Sequence, residues 1–113
     1  MDIKWILDTI KSVTNYSPVV RGGNQSNPIE YSVSQLGYRV YRLELYINGS
    51  RLDDIMNICS AINNALVDFG DNTINADMSI DYVGGGSFAN GNRITQACYY
   101  QVVSYEKRNI GGN

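Results

Sequence analysis

The sequence contains no histidine, and this absence excludes much enzyme chemistry. Histidine is the commonest general base, the usual partner of nucleophilic serine and cysteine, and a frequent ligand of zinc and iron. Only two cysteines occur, Cys59 and Cys98, and their spacing matches no metal-binding motif. We therefore predict two free thiols, no metal or other cofactor, and a protein that is not an enzyme.

Charged residues are scarce as well, at 18% of the chain, and their balance is slightly acidic. The net charge of −2 and the pI of about 4.8 argue against a protein that grips nucleic acid, because such proteins usually present a basic face. No run approaches the roughly 18 apolar residues of a membrane span, and the first residues lack a secretion signal. We expect no membrane contact and folding in a reducing cytoplasm.

Hydrophobic residues reach 43% of the 113 residues, which is enough for one modest core. We predict a single domain over residues 1–108 and a flexible tail over 109–113. Apolar residues at helical spacing predict one helix from Asp2 to Val13 and a second from Arg51 to about Phe69, ended by Gly70.

Alternating patterns predict strands over residues 37–47, 74–83 and 93–106. Residues 15–36 hold both prolines and many Asn, Ser and Gly residues, and they are interpreted as a long loop with room for a short strand at 29–33. The predicted fold class is therefore α+β: a small, mostly antiparallel sheet packed against two helices, in the order α-β-α-β-β with a long first loop.

The stretch from Gly84 to Gly91 is the one part of the chain that resembles a phosphate-binding motif. Gly84, Gly85 and Gly86 begin a match to G-x-G-x-x-[GA]. That motif holds phosphate at the start of a helix, whereas a strand is predicted after this stretch. We predict a flexible hairpin loop here, with Phe88 as an exposed apolar tip.

Tyrosine is abundant, and several of the nine tyrosines fall in the predicted strands. Tyr38 and Tyr46 share one face of the first strand, and Tyr100 lies on one of two apolar faces of the last. If both helices cover the same face of the sheet, a Tyr-rich face remains, of the kind enriched at protein interfaces. The alternatives are that the 15–36 segment folds back over this face or that the sheet curls upon itself.

The order of elements resembles the tail terminator, or tail-completion, proteins of long-tailed bacteriophages, which are often labelled minor capsid proteins. The resemblance extends over about Met1 to Arg108. It is carried by four segments: the strand Tyr41-Arg42-Leu43-Glu44-Leu45-Tyr46-Ile47, the helix Ile58-Cys59-Ser60-Ala61-Ile62-Asn63-Asn64-Ala65-Leu66, the turn Gly84-Gly85-Gly86-Ser87-Phe88 and the closing Tyr99-Tyr100-Gln101-Val102-Val103-Ser104-Tyr105.

The resemblance implies a structural virion protein of the tail and neck, assembled in the host cytoplasm. It implies a homo-oligomeric ring, usually a hexamer, at the head-proximal end of the tail tube. There the ring would stop polymerisation of the tail tube protein and join the head-neck connector proteins, while DNA would only pass through its channel. A net charge of −2 per copy fits a channel that does not retain DNA.

The exposed loops and the Tyr-rich face supply the expected contact residues. They are Arg21, Tyr38, Tyr46, Gly84, Gly85, Gly86, Phe88, Arg93 and Tyr100.

Other functions remain open at this stage. The main alternative is a small cytosolic α+β domain that binds a ligand or peptide against its sheet. A neighbouring neck protein or a tail tube subunit is a further possibility within the virion. A hydrolase based on Asp77 and Asp81 is disfavoured: four strand residues separate them by about 13 Å, more than the roughly 5–9.5 Å between paired glycosidase carboxylates.

Overall fold

The computed structural model describes residues 1–22, 27–68 and 73–105, and these form an α+β fold. The predicted fold class is confirmed. Neither helix within the described ranges is long and apolar enough to cross a membrane. The elements are α1 (Ile3–Thr14), β1 (Val19–Val20), β2 (Ile29–Gly37), β3 (Val40–Gly49), α2 (Leu52–Leu66), β4 (Met78–Asn90) and β5 (Arg93–Ser104). The predicted tail at 109–113, and Phe69 and Gly70 at the predicted end of the second helix, lie outside the described residues.

The five strands form one open sheet in the order β1-β2-β3-β5-β4. β1 runs parallel to β2, and every other neighbouring pair is antiparallel. In the centre of the sheet, Leu43 of β3 lies opposite Tyr100 of β5, and Leu45 lies opposite Cys98. These four side chains share one face, are buried, and form the middle of the core.

Both helices cover that face, and each does so with an amphipathic stripe. Ile6 and Ile10 of α1 are fully buried, and α2 contributes four buried residues at spacings of three and four: Ile55, Cys59, Ile62 and Leu66. Asp2 begins α1 by accepting a hydrogen bond from the Trp5 amide at 3.0 Å. Burial of each large aliphatic side chain contributes about 1.5–3 kcal/mol, so the two stripes hold the helices to the sheet.

The segment predicted as a long first loop contains two strands. β2 is nine residues long and pairs with β3 along most of its length, with Ile29 opposite Ile47 and Val33 opposite Leu43. Tyr38 and Arg39 make a two-residue turn between them, in which Arg39 has a φ of 61°. The sequence prediction missed this hairpin because its turn carries neither the Asn-Gly nor the Asp-Gly signal of such turns.

The glycine-rich stretch is not a flexible loop, and this prediction is wrong. Gly84, Gly85 and Gly86 continue β4, which reaches Asn90, and the turn to β5 consists only of Gly91 and Asn92. The β4 strand also starts four residues later than predicted, because residues 74–77 form a turn in which Asn75 Oδ1 accepts the Asp77 amide at 2.7 Å. β5 supplies the hydrogen-bonding partner that keeps a glycine-rich segment extended.

Gly85 is the glycine whose replacement we expect to be most costly. A Cβ there would lie 2.1 Å from the carbonyl oxygen of Ala97, on a backbone with a φ of +158°. Gly86 is the matched control, since a Cβ there meets nothing within 4 Å. Gly85→Ala should lower the free energy of unfolding by about 2–4 kcal/mol and Gly86→Ala by less than about 1 kcal/mol, as measured by urea denaturation. Equal losses in both variants would contradict the close approach of β4 to β5.

Candidate subunit interface

The sheet has a second face, opposite the helices, which we call the uncovered face. Since side chains alternate along a strand, the neighbours of Leu43 and Leu45 point this way. β3 contributes Arg42, Glu44 and Tyr46, and β5 contributes Tyr99, which lies opposite Glu44. Three predicted contacts, Tyr38, Tyr46 and Tyr100, were expected on the Tyr-rich face. Tyr38 lies in the β2–β3 turn and not in the strand predicted for it, and the structure treats the other two differently.

Tyr46 lies on the uncovered face as predicted, but it is almost fully covered there. Only 9% of it is exposed, because the Arg21 guanidinium lies 3.6 Å from the centre of its ring. Arg21 follows β1, so at this point the 15–36 segment does fold back over the sheet, which was the alternative left open by the sequence. Predicted contact residues Arg21 and Tyr46 are thereby brought together.

The rest of the uncovered face is a charge-paired network rather than an apolar patch. The Arg42 guanidinium lies 5.0 Å from the Tyr99 ring centre and 3.9 Å, at its Nε, from Glu44 Oε2. The Tyr46 hydroxyl donates to Glu44, which also accepts from Ser32 Oγ at 3.2 Å. Burial and this contact with Glu44 raise the pKa of Tyr46. Because these polar groups are already paired with one another, this face is a weaker interface than the sequence predicted.

Tyr100 does not lie on the uncovered face, so its predicted placement is wrong. Its register opposite Leu43 points it towards the helices, where it is fully buried. Its hydroxyl donates to Asn63 of α2, and its ring meets Tyr82 edge-on at 5.6 Å. Burial raises the pKa of Tyr100. Both faces of β5 are rich in apolar residues, so the sequence pattern did not reveal which face the helices cover.

A buried polar cluster, which the sequence analysis missed, fixes β1 and the following residues to the sheet. Asn48 Nδ2 donates to Glu30 Oε1 at 3.0 Å, and Thr95 Oγ1 donates to Asn48 Oδ1 at 2.6 Å. Glu30 is 1% exposed and also accepts from the Gly22 amide at 3.4 Å, with Arg21 Nη1 3.9 Å away. A buried carboxylate needs such partners, but no local sequence signal places these side chains together.

Cys59 and Cys98 are buried free thiols with their Sγ atoms 3.6 Å apart. The hydrogen bond between them and burial both raise the pKa of Cys59, so its thiol stays protonated. Both residues belong to the core cluster. Their arrangement is that of packing residues and does not build a nucleophile.

The remaining predicted contacts lie at opposite ends of the sheet. Tyr38 is 80% exposed in the β2–β3 turn, with the Arg39 guanidinium 4.7 Å from its ring centre. Phe88 and Arg93 lie near the β4–β5 turn at the other end, about ten strand residues away, which corresponds to roughly 30 Å. The structure therefore does not bring the nine predicted residues into one site.

A long exposed strand edge is formed by the outer side of β4 at residues 81–90, which we call the β4 edge. Among the strands that the structure describes, β4 has β5 as its only neighbour. Every residue from Asp81 to Asn90 except the half-buried Gly84 is exposed, and 46% of Phe88 is accessible. Residues 82–90 include no charged residue and no proline. Charges and prolines are the usual devices that keep an edge strand from pairing with another chain.

Clefts in the described part of the chain are small. One of about 290 Å³ lies at the start of α2 and is bordered by Asn48, Arg51 and Arg93. Another of about 200 Å³ lies between Leu36 and Val83. The larger lies at the lower limit of the roughly 300–1,000 Å³ typical of small-molecule sites and the smaller lies below it, so these two clefts give little support to a ligand-binding domain.

Comparison with protein-family models and with curated proteins finds no match for this chain. Among residues 1–22, 27–68 and 73–105, no group of three or more Cys, Asp or Glu side chains is placed to hold a metal ion.

The raised pKa values of Tyr46 and Tyr100 predict a loss of stability in alkali. In the unfolded chain both hydroxyls ionise near pH 10, whereas in the folded chain they keep their protons to higher pH. Above pH 10 the unfolded state therefore binds fewer protons, and the free energy of unfolding falls as pH rises, by up to about 1.4 kcal/mol per pH unit for each group.

Tyr46→Phe removes one of these groups, so its stability should fall less steeply than that of the wild type between pH 10 and 11.5. The measurement is urea denaturation at a series of pH values. Tyr38→Phe, at an exposed position, controls for the loss of a tyrosine as such. Parallel wild-type and Tyr46→Phe curves would show that Tyr46 is not held in its protonated form by the fold.

Proposed function

We propose that this chain is the subunit of a phage tail terminator ring. The ring would assemble from six copies at the head-proximal end of the tail tube, stop tube polymerisation and join the tail to the head-neck connector proteins. The observation that carries the proposal is the β4 edge, a long strand edge with one sheet neighbour and no charge or proline from Tyr82 to Asn90.

An edge of this kind favours a closed assembly over a monomer. The backbone groups of an edge strand can template another strand, and proteins that stay monomeric usually block such edges. In a ring, every copy covers the strand edge of its neighbour, so no edge is left to pair further. Closure of the ring also limits the number of copies. A protein that must end tube growth at a defined size needs such a self-limiting assembly.

The two ends of the sheet would then serve different partners. If neighbouring sheets meet edge to edge, their strands run along the ring axis and the strand ends form two rims. Tyr38 would lie on one rim, and Phe88 with Arg93 on the other. One rim would contact the tail tube protein and the other the connector, which is the arrangement that a terminator requires.

The charge pattern is compatible with a channel for DNA. Arg21 lies 3.9 Å from Glu30, and Arg42 lies 3.9 Å from Glu44, so each of these two arginines stands beside a carboxylate. With a net charge of −2 per copy, a channel lined by this face would attract DNA weakly. DNA could then pass through without being held.

The proposal predicts a ring in solution. Light scattering coupled to gel filtration should give a mass near six times 12.6 kDa, and negative-stain images of the same peak should show particles with a central hole. The mass should stay constant on tenfold dilution from 100 µM. A monomer or dimer throughout would contradict the ring and favour the small binding domain as the function.

A further inference from the structure

We propose that the subunits join by strand pairing, with β4 of one copy adding to β1 of the next copy, so that each sheet continues into its neighbour. This inference rests on the proposed ring and specifies its contact. It is inferred from the two edge strands of the sheet, β1 and β4. Its test is separate from the test of the ring.

β4 offers the longer of the two edges. It has 13 residues, and its only irregularity is the bulge between Tyr82 and Gly84. Neither helix is packed on residues 81–90, which are exposed on both sides of the strand apart from Gly84. The small side chains of Gly86, Ser87 and Ala89 also leave room for a neighbouring strand to approach.

β1 forms the other edge of the sheet, and it too is uncharged and exposed. It consists of Val19 and Val20, and Val20 is 68% accessible. Although short, β1 is firmly held: Val19 and Val20 pair with Glu30 and Tyr31, and the Arg21 amide donates to the Tyr31 carbonyl at 2.8 Å. The buried Glu30 cluster anchors the next residues, so β1 is a preorganised receptor for a strand.

Symmetry decides which edges meet. Pairing of β4 with β4 of another copy would be isologous, so one contact would use up the edge and the assembly would stop at a dimer. Pairing of β4 with β1 leaves a free β4 at one end and a free β1 at the other. This heterologous contact repeats from copy to copy and closes when the rotation completes a circle.

Side-chain chemistry agrees with this pairing. Val19 and Val20 on one edge can face either Val83 or Phe88 on the other, depending on the register, and all four are exposed apolar residues. A two-residue ladder makes each contact weak by itself. Closure compensates, because every subunit in a ring makes two contacts and the last one forms within the assembly.

Cysteine cross-linking tests the pairing directly. Val20→Cys is combined in turn with Val83→Cys, Ser87→Cys and Ala89→Cys, because the three β4 positions sample different registers. After mild oxidation, at least one double variant should give a ladder of reducible oligomers that ends at the ring size on a denaturing gel. Each single variant is the control. The native Cys59 and Cys98 are buried and should not contribute.

The outcomes separate the contact from the function. A ring by mass with no ladder from any pair would overturn the β4–β1 contact and leave the terminator proposal standing. A dimer from Ser87→Cys alone would also overturn it, in favour of β4–β4 pairing. Ladders that continue into open chains without a closed ring would support the contact and contradict the terminator. A chain that stays monomeric would overturn both.

A matched pair of charge substitutions gives a second readout. Ser87→Lys places a charge on the β4 edge, whereas Ser60→Lys makes the same change at an exposed position on α2. We expect Ser87→Lys to weaken assembly at least tenfold in dissociation constant and Ser60→Lys to leave it unchanged. Circular dichroism should show the same fold in both variants, and equal assembly would overturn the proposed contact.

Discussion

The antiparallel pairing of β3 with β5 determines which side chains reach the core and which strands remain at the edges. It extends from Val40 opposite Val103 to Gly49 opposite Ile94. This register places Leu43, Leu45 and Tyr100 beneath the helices, and a shift of one residue would turn all of them to the other face. β2 and then β1 lie outside β3, and β4 lies outside β5. The sheet therefore ends in the short edge strand β1 and the long edge strand β4.

The two faces of this sheet are stabilised by different interactions. The helix side is an apolar core, while the uncovered face holds its polar groups in pairs: Arg21 over Tyr46, Arg42 beside Glu44, and Glu30 bonded to Asn48. Breaking any of these pairs to bind a partner would leave a buried or half-buried polar group without its partner, at a cost of about 1–3 kcal/mol. Assembly through the edges keeps these contacts intact, and this favours β4 and β1 as the proposed subunit contact.

The sequence predicted the parts of the fold that depend on local periodicity. Both helices and the core faces of β3 follow from apolar spacing, as Ile6, Ile10, Leu43 and Leu45 show. The extension of β4 through Gly84–Gly86 was missed because glycine has low strand propensity and its conformation depends on β5, a distant partner. The direction of Tyr100 and the Glu30 cluster were missed for the same reason: pairing between strands far apart in sequence sets both. Of the candidate site, exposed Tyr38 and Phe88 could be predicted, whereas the β4 edge required the strand order.

If subunits join as proposed, the β4 edge is open in the single chain and closed by a second copy. Hydrogen–deuterium exchange of the wild-type protein at high and low concentration tests it most directly, because unpaired edge amides exchange fast and paired ones slowly. We expect peptides covering residues 81–90 and 19–20 to become protected together as concentration rises, while peptides from α2 do not change. Assembly without added protection in residues 81–90 would contradict it.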